Sequence, residues 1–386
     1  MGRWRALVVG ALLLSALLIA APAFGESELT LKRDSQGEYA SYRLQHGETV
    51  WTHVVRRFTS RTDDVSDTES SRLILERSGF ADDTKIPDGA EMKIPVELLA
   101  PEFRQGRAPE AADQAKPLAG VVVILDPGHG GIDTGTTPRD GIFEDEIVYD
   151  IMCRAKRILE QDTAATVYVT VRDRSRGFAL SATRADFPED GDEYVLTSPN
   201  YRIADSTVGL HLRWYLANSL YRRALRGGIE SGRVLFTSFH AEALSSSSRG
   251  AMVYIPGARL RDGVYGKSGQ PYARFSEVRE RPKVAFTQRE RAASERLSRA
   301  FAEQLTRSLR ASGVMVFANQ PIRDRIRRRS EYVPAVLRYN AVPTEVLIEC
   351  GNLSNVRDRQ NLCDPTFRER FARAYVNAVI EYMARR

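Results

Sequence analysis

One run of aliphatic residues limits the fold of this chain more than any other feature. Val121 to Leu125 are five consecutive aliphatic residues, the pattern expected of a strand that is buried on both faces of an α/β sheet. The glycine-rich turn Asp126-Pro-Gly-His-Gly-Gly131 follows at once. His129 is therefore predicted to lie just beyond the end of a buried strand.

Two later apolar runs also end at polar residues. Val234 to Phe239 precedes His240, and Val346 to Ile348 precedes Glu349. In open α/β sheets, ligands bind beyond the carboxyl ends of the parallel strands. We therefore expect His129, His240 and Glu349 to converge, on condition that their strands are parallel neighbours.

Glu144 is the first residue of a stripe that continues with apolar residues at helical spacing. The apolar residues at i+4, i+7, i+11 and i+14 from it are Val148, Ile151, Ala155 and Ile158. This spacing predicts that Glu144 lies on the buried face of a helix, while Asp145 and Glu146 turn away from that face. Because a buried, unpaired charge is costly, we expect a cation beside Glu144.

His129, Glu144 and His240 together form a donor set known from catalytic zinc sites, in which three protein ligands leave a fourth position for water. The alternative is that both histidines are structural residues held by hydrogen bonds. The remaining histidines lack such a context and are interpreted as structural: His46, His53 and His211.

The N-terminus has the features of an export signal. Arg3 and Arg5 precede an apolar run from Ala6 to Ala21, and small residues at a cleavage spacing follow. Residues 1–25 are therefore predicted to be a secretory signal peptide. An uncleaved anchor is the alternative, because the run is near the lower limit for spanning a bilayer. Either way, the rest of the chain is expected to be periplasmic, extracellular or in the cell wall, without stable membrane insertion once the signal is removed.

Charge and cysteine content narrow the functional classes. The net charge of +6 is a mild excess for 386 residues, so it does not require a nucleic-acid partner. The three cysteines form neither a disulfide framework nor a zinc-ribbon pattern. Cys350 and Cys363 could pair in an oxidising compartment, and the sequence leaves that pairing open.

Residues 42–96 are predicted to form a small domain with the element order β-α-α-β. A short strand leads to a helix that begins near Thr49, a second helix covers Ser70 to Ser78, and a closing strand ends near Pro95. Residues 97–117 then have the composition of a linker.

The two ends of this small domain resemble a lysin motif (LysM). Gly47-Glu-Thr-Val-Trp51 opens the segment, and Ile86-Pro-Asp-Gly-Ala-Glu-Met-Lys-Ile-Pro95 closes it. The resemblance implies binding to glycans that contain N-acetylglucosamine, such as peptidoglycan. The alternative is a generic small α+β domain in which Trp51 is a core residue.

Residues 118–386 are predicted to form a catalytic domain. Its motifs are, in order, Asp126 to Gly131, Glu144 at a helix start, Ser238-Phe-His-Ala-Glu242, and Pro343 to Asn355. They resemble the zinc-dependent N-acetylmuramoyl-L-alanine amidases of the Amidase_3 family. The resemblance implies an α/β fold with a mixed, mostly parallel sheet wrapped by helices. It also implies Zn²⁺ held by His129, Glu144 and His240, with Glu349 as the catalytic glutamate.

The implied chemistry is hydrolysis of the amide bond between N-acetylmuramic acid and the L-alanine of the stem peptide in peptidoglycan. Zinc lowers the pKa of a bound water to about 7, and Glu349 is placed to take its proton. Two alternatives stay open. One is a zinc peptidase that acts within the stem peptide, and the other is a non-catalytic protein that binds the cell wall.

Two polar segments, 173–205 and 259–288, lengthen the catalytic domain. The first is expected to be a surface excursion. In some relatives a helix inserted after the second histidine plugs the zinc site until an activator protein displaces it. By that resemblance the second segment could offer Glu277 or Glu280 to the metal, and the alternative is a lengthened loop without a function.

A basic run extends from Arg323 to Arg329. Its arginines could contact the carboxylates of stem peptides, because guanidinium groups bind carboxylates in a bidentate manner. The alternative is a solvated helix face, which the sequence favours because nothing in it directs these side chains towards the cleft.

Overall fold

The computed structural model describes residues 29–34, 36–44, 48–55, 58–59, 64–81, 85–87, 89–100, 103, 116–136, 141–183, 191–327 and 329–386. The predicted signal peptide, His46 and most of the predicted linker lie outside these residues. Within the described ranges, no helix has both the length and the apolar character needed to cross a membrane. Two compact units are present, and the first ends at Arg107.

The first unit is a three-stranded antiparallel sheet packed against helical segments. Its elements are β1 (Thr30–Asp34), β2 (Gly37–Arg43), a π-helical turn (Val50–Val55), α1 (Asp64–Ser78), β3 (Glu91–Pro95) and a 3-10 turn (Val96–Leu98). The predicted order strand, helix, helix, strand is present from β2 to β3. Strand β1 was not predicted, and α1 begins earlier than Ser70.

The core of the first unit forms where apolar side chains from β2, β3 and the helices meet. Met92 and Ile94 are fully buried at alternate positions of β3, as expected for a strand with one face towards the core. Trp51 is only partly buried and lies outside this core cluster. Leu98 and Leu99, at the start of the predicted linker, are buried in it.

The second unit contains most of the chain. Its strands are β4 (Val122–Pro127), β5 (Thr166–Val169), β6 (Val171–Arg172), β7 (Tyr194–Val195), β8 (Tyr201–Arg202), β9 (Val234–Glu242), β10 (Met252–Tyr254), β11 (Tyr265–Gly266), β12 (Lys283–Val284), β13 (Ile322–Arg323), β14 (Ile326–Arg327), β15 (Glu331–Tyr332) and β16 (Thr344–Asn352). Its helices are α2 (Glu144–Asp162), α3 (Ser206–Arg226), α4 (Ser276–Glu280), α5 (Gln288–Ala311), α6 (Ala335–Arg338), α7 (Val356–Cys363) and α8 (Pro365–Ala384).

The central sheet of this unit has the strand order β13-β10-β16-β9-β4-β5. Strands β16, β9, β4 and β5 are parallel to their neighbours, whereas β10 is antiparallel to β16. The prediction of a mixed, mostly parallel sheet is therefore confirmed. The parallel strands are also neighbours, which was the condition for convergence of the residues at their carboxyl ends.

Helices cover both faces of the central sheet. On one face, Tyr375 of α8 donates a hydrogen bond to Thr237 of β9 and packs edge-on against Phe239. The next residue along β9, Ser238, faces the opposite side, where it shares the Asp126 carboxylate with Arg213 of α3. The strands are thus buried on both sides, which explains their continuous apolar sequences.

Candidate metal centre and active site

Three donor side chains meet where β4 and β9 end and α2 begins. His129 follows β4, His240 lies near the end of β9, and Glu144 is the first residue of α2. The Glu144 Oε1 atom lies 3.2 Å from Nε2 of His129 and 3.2 Å from Nδ1 of His240. The structure thus brings together the three residues that the sequence analysis named as metal ligands.

This donor set fits a zinc ion. Two imidazole nitrogens and a carboxylate oxygen are ligands that zinc prefers, and bonds of about 2.0–2.2 Å place tetrahedral donors about 3.3 Å apart. The two 3.2 Å separations at Glu144 are close to that value. Asp133 adds a carboxylate behind the site, with Oδ1 3.0 Å from Nδ1 of His129. A carboxylate in this place orients a histidine so that its other nitrogen faces the metal.

Electrostatics at the site favour an ionised Glu144. Burial opposes its charge, but hydrogen bonds and the charges of His129 and His240 hold the pKa of Glu144 well below its usual range. Burial likewise opposes a charged His129, yet Asp133 and Glu144 raise the pKa of His129 to about 10. A metal ion that binds here would replace the histidine protons, because metal ligation requires neutral imidazole.

Two glycines allow the ligands to pack this closely. A Cβ atom on Gly128 would lie 2.4 Å from the ring of His240, and one on Gly135 would lie 2.6 Å from Oε2 of Glu144. Gly135 also has a φ of +70°, which favours glycine over residues with a side chain. The backbone of the loop after β4 is therefore shaped around the donor set.

Arg213 of α3 holds the loop that contains His129. Its guanidinium donates hydrogen bonds to the carbonyls of Pro127 and His129 and, at 3.0 Å, to the carboxylate of Asp126. Arg213 is 4% exposed and Asp126 1% exposed, so this is a buried ion pair. His129 has a φ of +65°, an uncommon conformation for a residue with a side chain. The guanidinium of Arg213 stabilises this backbone conformation through its hydrogen bond to the carbonyl of His129.

Arg213 and Asp133 are partners of the site that were not predicted from the sequence. Asp133 follows His129 by four residues, and this spacing was a usable signal. Arg213 belongs to a helix more than eighty residues away in sequence, and no local pattern links it to the turn. Asp126 contacts Arg213 and Ser238 and is not one of the three donor residues.

Glu349 lies beside the donor set on the neighbouring strand. It is directly paired with His240 in the parallel ladder of β16 and β9, so both side chains share a face of the sheet. Glu349 is 8% exposed, and no hydrogen-bond partner for its buried Oε2 is present among the described residues. Burial and the charges of Glu144 and Glu242 raise the pKa of Glu349 well above its usual range.

The segment 173–205 is more than the surface excursion expected from its polar sequence. Oε2 of Glu193 accepts a hydrogen bond of 2.7 Å from the N–H of Gly131, and the N–H of Ile132 donates to the carbonyl of Ile203. Glu193 is 4% exposed. The segment therefore packs against the glycine-rich turn, where its polar side chains satisfy backbone groups of the turn.

Asp145 and Glu146 are both buried, although they were predicted to turn away from the apolar stripe of α2. Their carboxylates and that of Glu193 lie within 4.8 Å of one another. Arg176 is 3.1 Å from Glu146, while burial raises the pKa of Glu146 to about 8. This burial is non-local, because Arg176 and Glu193 of segment 173–205 lie against the first turn of α2.

Glu277 and Glu280 have partners outside the donor set. The carboxylate of Glu277 accepts a hydrogen bond from the N–H of Ser198 at 3.0 Å. Glu280 pairs with Arg222 at 2.8 Å and with Arg226 at 3.2 Å. These contacts tie α4 to α3 and to the loop before it, and the inhibitory role of the two glutamates stays a prediction.

The basic run does not form a helix. Arg323 is on β13 and Arg327 is on β14, so the interpretation as a solvated helix face is wrong. Arg325 and Arg327 both pair with Glu331, at 3.3 and 3.2 Å. Ile322 and Ile326 are four residues apart, a spacing that is also typical of a helix, so the local pattern did not reveal the extended conformation.

The described histidines and cysteines outside the donor set have structural contacts or are free thiols. Nδ1 of His53 accepts from the N–H of Thr49, and Nδ1 of His211 accepts from the indole of Trp214, as expected for structural residues. Cys350 is a buried free thiol, so the structure contains no disulfide between it and Cys363.

Comparisons with known proteins show which family this chain resembles. Over 75 residues the chain is 32% identical to the N-acetylmuramoyl-L-alanine amidase AmiC of Escherichia coli, and the match covers 19% of this chain and 17% of that protein. Over 268 residues it is 26% identical to an uncharacterised cell wall amidase of Bacillus anthracis, covering 69% of this chain and 36% of that protein. The matches thus span about a sixth of the first relative and little more than a third of the second.

Among solved structures, the amidase Ami1 of Mycobacterium smegmatis matches with a TM-score of 0.45 and 20% identity, over 70% of this chain and 100% of that chain. The family model for N-acetylmuramoyl-L-alanine amidases named Amidase_3 matches residues 123–381. This range is more than half of the chain and includes His129, Glu144, His240 and Glu349. The chain belongs to the Amidase_3 family of N-acetylmuramoyl-L-alanine amidases.

Proposed function

We propose that this protein is a zinc-dependent hydrolase that cleaves the amide bond between N-acetylmuramic acid and the L-alanine of peptidoglycan stem peptides. The observation that supports it best is the donor set of His129, Glu144 and His240 with Glu349 directly beside it on the next strand. The three donors would hold Zn²⁺, which when bound supplies Lewis-acid chemistry and a lowered pKa for water.

Glu349 would move the proton. Hydrolysis adds the oxygen of water to the carbonyl carbon of the lactyl group, breaks the carbon–nitrogen bond, and places a proton on the nitrogen of L-alanine. As general base, Glu349 would take a proton from water and return it to the leaving amine. Its raised pKa suits the second half of this cycle, because a carboxyl group that retains its proton can then donate it.

The rest of the site would hold the reacting groups in place. Asp133 would keep Nε2 of His129 directed at the metal, and Arg213 would fix the backbone of the turn. Partial burial around Glu349 would exclude bulk water and strengthen the electrostatic interactions there.

The test is mass spectrometry of the products released from purified peptidoglycan by the zinc-loaded protein. We expect free peptides that begin with L-alanine and glycan strands with unsubstituted lactyl groups. A chelated sample and a Glu349→Gln variant should release neither, whereas Glu303→Gln, on the exposed side of α5, should behave as the parent protein.

Other outcomes would favour the alternatives. Peptides shortened at another bond would indicate a zinc peptidase that acts within the stem peptide. A protein that binds zinc and the polymer and releases nothing would indicate a wall-binding protein without this activity, or an enzyme held inactive. Glu277→Gln and Glu280→Gln separate an inactive enzyme from a wall-binding protein. These variants should raise basal activity if an insertion blocks the site until an activator protein acts.

We also propose how the chain is organised around this activity. Residues 1–25 would direct export to the periplasm or the cell wall, and residues 42–96 would form a LysM-like module that binds glycan. The strand and helix order of the first unit supports the second part. Binding of a segment that includes all of β1 to β3 to chitin-type oligosaccharides would test it, with Trp51→Ala as the variant because Trp51 lines an open groove of about 810 Å³.

A further inference from the structure

A row of side chains crosses the sheet face that includes the candidate active site. In the ladders, Arg323 of β13 pairs with Tyr254 of β10. Met252, two residues before Tyr254, pairs with Glu349, and Glu349 pairs with His240. Paired residues, and residues two apart on a strand, share a face of the sheet. Strand spacings of about 4.8 Å and a rise of about 3.3 Å per residue place the Cα atoms of Arg323 and Glu349 about 12 Å apart.

The guanidinium of Arg323 is held by neutral groups. Its Nε donates to the carbonyl of Gln320 at 3.3 Å, and its Nη1 donates to the hydroxyl of Tyr254 at 3.4 Å. Its central carbon lies 5.1 Å from the centre of the Phe317 ring. These contacts orient the side chain, and none of the three is with a carboxylate.

Arg323 differs in this respect from Arg325 and Arg327 of the same run. Arg325 and Arg327 share the carboxylate of Glu331, whereas among the described residues no carboxylate lies within 4.0 Å of Arg323. Its charge nevertheless acts at the active site. Burial and the neighbouring carboxylates raise the pKa of Glu349, and the charge of Arg323 opposes that effect.

We propose that Arg323 binds a carboxylate of the stem peptide and thereby makes the enzyme selective for substrates whose carboxylates are not amidated. This inference rests on the proposed amidase function. An extended peptide advances about 3.3–3.6 Å per residue, so a carboxylate on the residue after L-alanine falls within the span between Glu349 and Arg323. A guanidinium group is suited to such a carboxylate because it can donate two parallel hydrogen bonds.

The test compares two soluble substrates, N-acetylmuramoyl-L-alanyl-D-glutamic acid and its diamide, with the full-length parent protein and with Arg323→Gln. We expect the parent protein to show a KM about ten- to a hundredfold lower for the acid than for the diamide, as for loss of a charge-assisted hydrogen bond. Arg323→Gln should raise the KM for the acid by a similar factor and leave the KM for the diamide unchanged. The kcat values should change much less, because Arg323 lies away from the reacting atoms.

Matched variants separate selectivity from a general effect. Arg327→Gln removes a charge from β14, which is outside the central sheet and where the side chain is 69% exposed, and should leave both KM values unchanged. Arg323→Lys retains the charge without the planar fork and should give an intermediate preference. If Arg323→Gln folds poorly, the comparison of the two substrates with the parent protein still tests the preference for the free carboxylate.

Three outcomes are informative. Equal KM values for the acid and the diamide with the parent protein would overturn the inference and leave the amidase function standing. An equal rise of both KM values in Arg323→Gln would also overturn it, because it would indicate a packing role. Failure of the parent protein to cleave either substrate, while it also releases nothing from peptidoglycan, would count against the amidase function itself.

Discussion

Replacement of Arg213 by Met should weaken both the fold of the second unit and its affinity for zinc. The substitution removes the donor to the carbonyls of Pro127 and His129 and leaves the carboxylate of Asp126 buried without its cation. Breaking a buried ion pair by removal of one partner costs about 3–5 kcal/mol. Asp126 keeps hydrogen bonds from Thr170 and Ser238, so we expect the lower part of that range.

The Arg213→Met substitution should also affect the candidate metal site. His129 needs a positive φ to present its ring, and without the guanidinium that conformation loses its support. Removal of a partner that orients a metal ligand typically reduces metal affinity by about 10- to 100-fold. We therefore expect the Kd for zinc to rise by that factor, even under conditions in which the variant is fully folded.

The assay has two readouts. Unfolding in urea is followed by the fluorescence of Trp214, which is buried in the second unit, in a background with Trp4→Phe and Trp51→Phe. Zinc affinity is measured by competition with a chromophoric chelator. Arg222→Met is the matched control on the same helix, because its partner Glu280 is partly exposed and such pairs contribute about 0–1 kcal/mol.

A double variant tests the electrostatic part of the argument. Asp126→Asn combined with Arg213→Met removes both charges and should recover about 1 kcal/mol or more relative to Arg213→Met alone, as for directly coupled neighbours. The reasoning is refuted if Arg213→Met unfolds at the same urea concentration as the parent protein and binds zinc with the same Kd.

Further predictions concern packing and pH. Gly128→Ala should weaken zinc binding, because its Cβ would lie 2.4 Å from the His240 ring; an unchanged zinc Kd would contradict the packing argument. Burial lowers the pKa of His211 to about 4. As the pH falls, His211 therefore becomes protonated at a higher pH in the unfolded chain than in the folded chain. The stability contributed by neutral His211 is complete above about pH 6.5 and is lost as the pH falls towards 4. Urea midpoints of the parent protein should fall over this pH window by more than those of His211→Gln. An equal fall in both proteins would contradict the role of neutral His211. Phe301→Ala should cost about 3–5 kcal/mol in urea unfolding, because Phe301 is fully buried; a cost below 1 kcal/mol would contradict its place in the core.

The local patterns of the sequence were sufficient for the framework of the catalytic unit. A buried strand needs only its own run of aliphatic residues to be recognised, and a polar residue after such a run must lie at an end of the sheet. This is why His129, His240 and Glu349 could be placed at strand ends, and why the stripe behind Glu144 located the start of α2. The central sheet is mixed and mostly parallel, as predicted.

Other features depend on which distant segments meet, and no periodicity contains that information. The first turn of α2 is buried beyond its apolar stripe as well, because Arg176 and Glu193 lie against Asp145 and Glu146. Arg213 reaches the turn at His129 from α3, and Arg323 joins the active-site face because β13 adds to the edge of the sheet. The sequence by itself determined the strands, the helix start and the residues able to bind a metal, since these follow from short-range burial patterns. Only the tertiary structure decided which charges support those residues, because a charge acts through space on whatever the fold places beside it.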